Sequence, residues 1–140
     1  LVEPIAGALL MLGAERAWVV HGADGLDELT TTGQSFVAEV KDGAVRAFTI
    51  QPSEAGVPLS TRDALKGGDP PENADAIRDL LAGQKSAFRD IVILNAAAAL
   101  IVAELADDLK QGAALAAQSI DDGRAQAALA KLVAISNGSA

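Results

Sequence analysis

Three carboxylates, Asp24, Asp27 and Glu28, follow the apolar run Ala17-Trp18-Val19-Val20-His21 in the stretch His21-Gly22-Ala23-Asp24-Gly25-Leu26-Asp27-Glu28-Leu29-Thr30. Carboxylate oxygens are hard donors suited to Mg²⁺, which takes one or two protein carboxylates and fills its other positions with water and substrate phosphate oxygens. The chemistry this spacing offers is the binding of a metal-complexed phosphate. The same residues also read as an ordinary turn, because Asp24-Gly25 is a common turn pair and Asp27 has the side chain of a helix cap. His21 is the only histidine, and no Ser, Cys or second His pairs with it nearby in sequence, so a positioning role is expected before a catalytic one. Asn95 lies inside an apolar run, where an amide must find hydrogen-bond partners. A tie to a neighbouring loop's backbone is expected in preference to substrate contact.

These residues need elements to hold them. The glycine-bounded apolar stretch Ala17 to His21 predicts a strand buried on both faces, and ligands in open α/β sheets gather beyond the carboxyl ends of such strands. Upstream, Pro4 suits a first helical turn, and Ile5, Leu9 and Leu12 share one face before a stop at Gly13. Downstream, Ser35 to Lys41 and Ala44 to Ile50 flank Asp42-Gly43, which predicts a β-hairpin with one better-covered face. Gln51 to Pro71 is rich in proline and glycine and holds one short helix, Ser60 to Lys66. Asn73 caps a helix over Ala74 to Ala82, with Ile77, Leu80 and Leu81 inward and Gly83 at its end. A long helix is expected from about Ser86 or Ala87 to Lys110, broken by Gly112, then helices over Ala113 to Asp121 and Arg124 to Ile135, the last capped by an Asp. Parallel neighbours for the first strand need crossovers of about a dozen residues or more. No convincing strand follows the hairpin, so a parallel sheet is not completed from these residues. Nor is there a GxGxxG or P-loop cradle or a basic clamp for anions.

The totals agree with one domain. The chain has 140 residues, a formal net charge of −8 and no cysteine, which excludes a disulfide scaffold or a thiolate metal site. An acidic balance argues against nucleic acid, whose non-specific affinity comes from clustered Lys and Arg. No basic region precedes the first apolar residues, as a signal peptide requires. The uncharged stretch Ile91 to Ala103 falls short of the ~20 residues of a membrane span and reads as a buried helix. No membrane partner and a cytoplasmic location are expected. The opening at Leu1, directly in helical periodicity, reads as a chain cut from a longer one.

A resemblance sharpens this reading. Val19-Val20-His21-Gly22-Ala23-Asp24-Gly25-Leu26-Asp27-Glu28-Leu29, then Pro52, Gly56, Asn73-Ala74, Leu81-Ala82-Gly83, Leu94-Asn95-Ala96-Ala97-Ala98-Ala99-Leu100 and Ile120-Asp121-Asp122-Gly123-Arg124-Ala125 together resemble the C-terminal part of anthranilate phosphoribosyltransferase, a family of tryptophan biosynthesis. The match runs over essentially the whole chain. It implies an α/β fold, the C-terminal part of a nucleoside phosphorylase/phosphoribosyltransferase-like α/β domain, with a short mixed sheet, a β-hairpin and a helix-rich C-terminal half. It implies transfer of the phosphoribosyl group of phosphoribosyl pyrophosphate to anthranilate, assisted by Mg²⁺. It casts Asp27 and Glu28 as metal ligands, direct or through water, and assigns no catalytic residue to this chain.

The family's Gly-Thr-Gly-Gly-Asp pyrophosphate loop, its Lys-His-Gly segment and its anthranilate-contacting arginine have no counterpart between Leu1 and Ala140. Residues 1–140 are therefore expected to be a C-terminal fragment, without the N-terminal helical domain and inactive alone. Two departures from the family pattern lie elsewhere: Glu104 stands where many relatives have glycine, and Gln84-Lys85-Ser86 is an uncommon loop. Alternative readings are a non-enzymatic interaction module on the same fold and a nucleoside phosphorylase relative. The parent is expected to be a homodimer, and the fragment to self-associate through exposed strand edges and apolar surface.

Overall fold

The computed structural model describes residues 1–138. The first helix, α1, spans Val2–Met11 and ends before Gly13. It packs by Ala6, with Val2, Leu9 and Leu10, against Ala38 and Val40, whereas Ile5 is 48% and Leu12 84% exposed. Leu9 is thus the one member of the expected face that faces the core. With alanine in the contact, the helix lies close to the sheet, and the stripe through Val2, Ala6 and Leu9 wins over the bulkier one.

Three strands follow: β1 Ala17–Gly22, β2 Ser35–Lys41 and β3 Ala44–Ile50, in the order β1-β2-β3 with both pairings antiparallel. The β2–β3 turn is the hairpin expected at Asp42-Gly43, and both residues take positive φ, 51° and 74°, as a two-residue turn of this twist requires. β1 pairs only with β2 among the described residues, with Val20 opposite Val37 and His21 opposite Phe36. The strand covered on both faces is therefore β2: Val37 faces the main helical core while Ala38 and Val40 face α1. In β1 only Gly22 is buried. The apolar run Trp18-Val19-Val20 told of two apolar neighbours, but a central position in the sheet decides how fully they cover it. The parallel pairing that makes a sheet mixed does not occur among the described residues.

After β3, two 3-10 turns, Pro52–Ala55 and Asp63–Leu65, stand in the loop-rich segment, the second in place of the expected Ser60 to Lys66 helix. Helix α2, Pro70–Leu81, starts earlier than expected. Asp69 caps it, accepting from the Glu72 N–H while Glu72 accepts from the Asp69 N–H, and Pro70 and Pro71 occupy the first turn. Asn73 instead pairs with the Gly68 backbone. Leu80 is buried and Leu81 packs on the core, but Ile77 is exposed.

The expected long helix is two. Helix α3, Ala87–Val102, is capped by Ser86, whose Oγ accepts from the Arg89 N–H. It stops at Ala103, and Glu104 takes a φ of 59°, the left-handed position that favours glycine. Its carboxylate lies 2.6 Å from Arg16 Nη2. Helix α4, Leu109–Asp121, is capped by Asp108, and Gly112 sits inside it, buried against Ala97 of α3. The last helix, α5, is Arg124–Ser136, preceded by Gly123 rather than an Asp cap. Helices α3 and α4 form the main core with β2 and the end of β3: Leu94, Ala97, Ala113, Ala116 and Ile120 share one cluster with Val37 and Ile50. Arg89, 2% exposed, donates from Nη2 to Asp121 Oδ1 at 2.9 Å and so joins the start of α3 to the end of α4. No helix among the described residues is long and apolar enough to cross a membrane.

Candidate functional site

The acidic stretch forms the connection between β1 and β2. Its base is closed by the Ala23 N–H donating to the Gln34 carbonyl at 3.0 Å, and its first turn by Gly25 N–H to Gly22 O and Gly22 N–H to Leu26 O, both 2.9 Å. Asp24 stands at the centre. Its Oδ2 accepts from the Thr30 and Thr32 hydroxyls, each at 2.7 Å, and its Oδ1 accepts from the Leu26 N–H at 3.2 Å. Burial pushes this carboxyl's pKa up, but the hydroxyls of Thr32 and Thr30, the Leu26 N–H and the nearby Arg62 charge together outweigh it and leave the pKa lowered. The packing here needs glycine at position 22, where a Cβ would lie 2.5 Å from Asp24 Oδ1 and 3.1 Å from Thr30. Asp24 therefore spends its oxygens on the loop itself.

Asp27 and Glu28 are differently placed. Asp27 is exposed and Glu28 half-buried, and neither takes part in the hydrogen bonds that shape the turn. Burial raises the Glu28 pKa first, and the charges of Asp27 and Asp24 raise it further. Like charges held together without compensation are the setting a divalent cation relieves. Among the described residues no group of three or more His, Cys, Asp or Glu is suited to hold a metal ion. Asp27 and Glu28 are a two-carboxylate set, which fits Mg²⁺ completed by water and phosphate oxygens and does not fit a metal held by protein ligands alone.

The far side of the loop is held by α3. Asn95 Oδ1 accepts from the Leu29 N–H at 2.9 Å, and its Nδ2 donates to the Leu29 carbonyl at 2.9 Å and to the Ile91 carbonyl at 3.0 Å. This is the tie to a neighbouring loop expected for an amide inside an apolar run, and Asn95 is half-buried. Leu29, Thr30 and Thr31 are fully buried, and Thr31 is fastened in turn to Ser60, with the hydroxyls 2.6 Å apart and the Ser60 N–H donating to the Thr31 carbonyl.

Sequence reasoning missed the cations beside the loop. A hollow of about 380 Å³ opens between Asp24, Gly25 and Leu26 on one side and Arg62 and Lys66 on the other. Both cations belong to the segment read as one regular helix, which gave no reason to aim them at residues nearly 40 positions earlier. His21 is exposed and stacks on Phe36, with ring centroids 6.5 Å apart and planes 20° from parallel, so it stands outside the Asp24 network.

The chain is similar to the anthranilate phosphoribosyltransferase of Beijerinckia indica, 59% identical over 136 residues, which is 97% of this chain and 40% of that relative. Among solved structures it is similar to the anthranilate phosphoribosyltransferase of Thermus thermophilus, with a TM-score of 0.85 and 42% identity over 95% of this chain and 39% of that one. It shares its fold with the Saccharomyces cerevisiae enzyme in complex with PRPP and Mg, at a TM-score of 0.81 and 24% identity, over 91% of this chain and 37% of that one. The chain thus spans about 40% of the length of these relatives. Residues 1–126 match the glycosyl transferase family, a/b domain, and the chain belongs to that family.

Proposed function

We propose that residues 1–140 form the C-terminal part of the α/β domain of an anthranilate phosphoribosyltransferase, which transfers the phosphoribosyl group of phosphoribosyl pyrophosphate to the amine of anthranilate. The observation that carries this reading is the pair Asp27 and Glu28, left free by a loop whose own shape is secured by Asp24 and Asn95. The 59% identity to the Beijerinckia indica enzyme over nearly the whole chain supports it.

In this reading Asp27 and Glu28 hold Mg²⁺, which when bound neutralises the charge that develops on the pyrophosphate leaving group. The work of the chain itself is positional. Asp24, held by three hydrogen bonds, keeps the turn closed, and Asn95 keeps Leu29 against α3, so that the exposed Asp27 and the half-buried Glu28 remain on the same short segment. Arg62 and Lys66, across the hollow from Asp24, supply positive charge on the side where an anionic substrate approaches. A cytoplasmic location belongs to the same proposal.

Two results test it. A full-length enzyme carrying these residues is expected to consume anthranilate only with phosphoribosyl pyrophosphate and Mg²⁺ present, and the 140-residue chain alone to show no turnover. Turnover by the isolated chain, with full-length enzyme excluded, refutes the partition of the site. The isolated chain is also expected to self-associate, because β1 leaves one edge unpaired among the described residues and Leu1, Met11 and Leu12 are exposed. Light scattering checks this at rising concentration, and a persistent monomer counts against it. The homodimer of the parent is proposed separately and does not depend on that edge.

A further inference from the structure

We propose that Asn95 is a positioning residue for the acidic loop: by pairing with both backbone groups of Leu29 it sets where the adjacent Glu28 carboxylate points. The inference rests on the reading of Asp27 and Glu28 as ligands of a divalent cation, and goes beyond it by assigning the residue that aims them.

The geometry is that of a strand partner supplied by a side chain. Asn95 Oδ1 takes the Leu29 N–H and Nδ2 gives a hydrogen to the Leu29 carbonyl, both at 2.9 Å, while the second Nδ2 hydrogen goes to Ile91 one turn back on the same helix. The third bond fixes the plane of the amide, and that plane fixes the backbone of Leu29. The Leu29 side chain is fully buried in the cluster that contains Leu94, so this residue cannot shift along the helix. On the other side of Glu28 the Asp24 turn is closed by Leu26 and the two threonine hydroxyls. Asp27 and Glu28 thus lie on a short bridge between two fixed points.

That bridge carries mutual repulsion between carboxylates, which favours spreading. The Leu29 tie opposes it without adding charge. Aspartate at position 95 supplies neither of the two donated hydrogens and brings a fourth negative charge. Leucine keeps the volume and leaves the buried Leu29 N–H and C=O without these partners.

The test uses a full-length enzyme carrying these residues and Mn²⁺ as the probe, its binding followed by electron paramagnetic resonance in the presence of pyrophosphate. Asn95→Ala is expected to weaken Mn²⁺ binding about tenfold, the range in which residues supporting a ligand act, and to raise the Mg²⁺ concentration for half-activation in parallel. A variant with a lower Tm and unchanged Mn²⁺ affinity overturns the inference, because a purely structural role moves only the first.

A second measurement needs no variant to fold. Linkage is reciprocal, so Mg²⁺ with pyrophosphate is expected to slow hydrogen exchange at the Leu29 amide of the wild-type enzyme more than at the Leu94 amide. Equal slowing at both overturns the inference. Asp27→Asn and Glu28→Gln separate the two levels: if they leave Mn²⁺ affinity intact, the ligand reading fails and the role of Asn95 with it. If they weaken binding and Asn95→Ala does not, only the role of Asn95 fails.

Discussion

Asp27→Asn or Glu28→Gln, made in a full-length enzyme carrying this chain, is expected to lower the Mg²⁺-dependent rate about 100-fold or more, the scale on which single electrostatic groups act at a developing charge, while the fold survives. The loop does not need these carboxylates for its shape, since its hydrogen bonds are made by Asp24, Thr30, Thr32 and Asn95. For Glu28 the expectation is stronger. Burial and the charges of Asp27 and Asp24 raise its pKa in the folded protein, so the folded state binds that proton more tightly than the unfolded chain does. Such a group destabilises the fold increasingly as pH rises from the ordinary glutamate value through the raised one, and fully above both. Glu28→Gln is therefore expected to leave Tm at pH 7 equal to or above that of the unsubstituted protein, with the advantage gone at a pH below the ordinary glutamate pKa. Thermal unfolding at the two pH values, beside steady-state rates against Mg²⁺ concentration, checks both halves. Unchanged rate and metal dependence refute the ligand role, and a large fall in Tm at pH 7 refutes the claim that the carboxylate is held at a cost to stability.

The second large effect lies in the scaffold. Gly112→Val is expected to destabilise the protein by about 3 kcal/mol, the upper part of the range for overpacking a core. A Cβ at position 112 would lie 2.9 Å from both Cα and O of Ala97 and 3.0 Å from its Cβ. Those are backbone and first side-chain atoms of α3, with no flexible end to yield, so α3 and α4 must move apart where Ala97, Ala113 and Ala116 are buried. Gly112→Ala gains about 1 kcal/mol of helix propensity but meets the same contacts, and a smaller net loss of about 1 kcal/mol is expected. Urea unfolding of the three proteins gives the order. An alanine variant more stable than the glycine protein, as propensity alone requires, overturns the close-packing account. Asn95 lies two residues from Ala97 on α3, so this contact also bears on where the acidic loop is anchored.

These cases mark where local chemistry in the chain was enough. Asp42-Gly43 specifies its hairpin because a two-residue turn needs positive φ at both positions and few other pairs accept it. Ser86 caps α3 and Gly83 ends the turn before it, through bonds that reach only three or four residues. The acidic loop was legible for the same reason, and so was the need of Asn95 for backbone partners, since burying an amide has a cost whatever surrounds it. Glycine at position 112 misled because a stop signal and a close-contact residue are the same residue type. Glu104 shows the converse: the true end of α3 carries the left-handed conformation without the glycine that usually announces it. Arg89 gave no signal either, since an arginine in a first helical turn ordinarily points to water and only the approach of Asp121 on α4 allows its burial.

By itself, then, the sequence determined the Asp42-Gly43 hairpin and the three-carboxylate loop, each set by dihedral preferences and hydrogen bonds among close neighbours. The tertiary structure alone decided that β2 rather than β1 is covered on both faces, that α3 and α4 meet at Gly112, and that Asn95 ties the acidic loop at Leu29. Those outcomes depend on partners far away in the chain, α1 on Ala38, Ala97 on Gly112 and Asn95 on Leu29, and no spacing within a single segment records which distant surface will arrive.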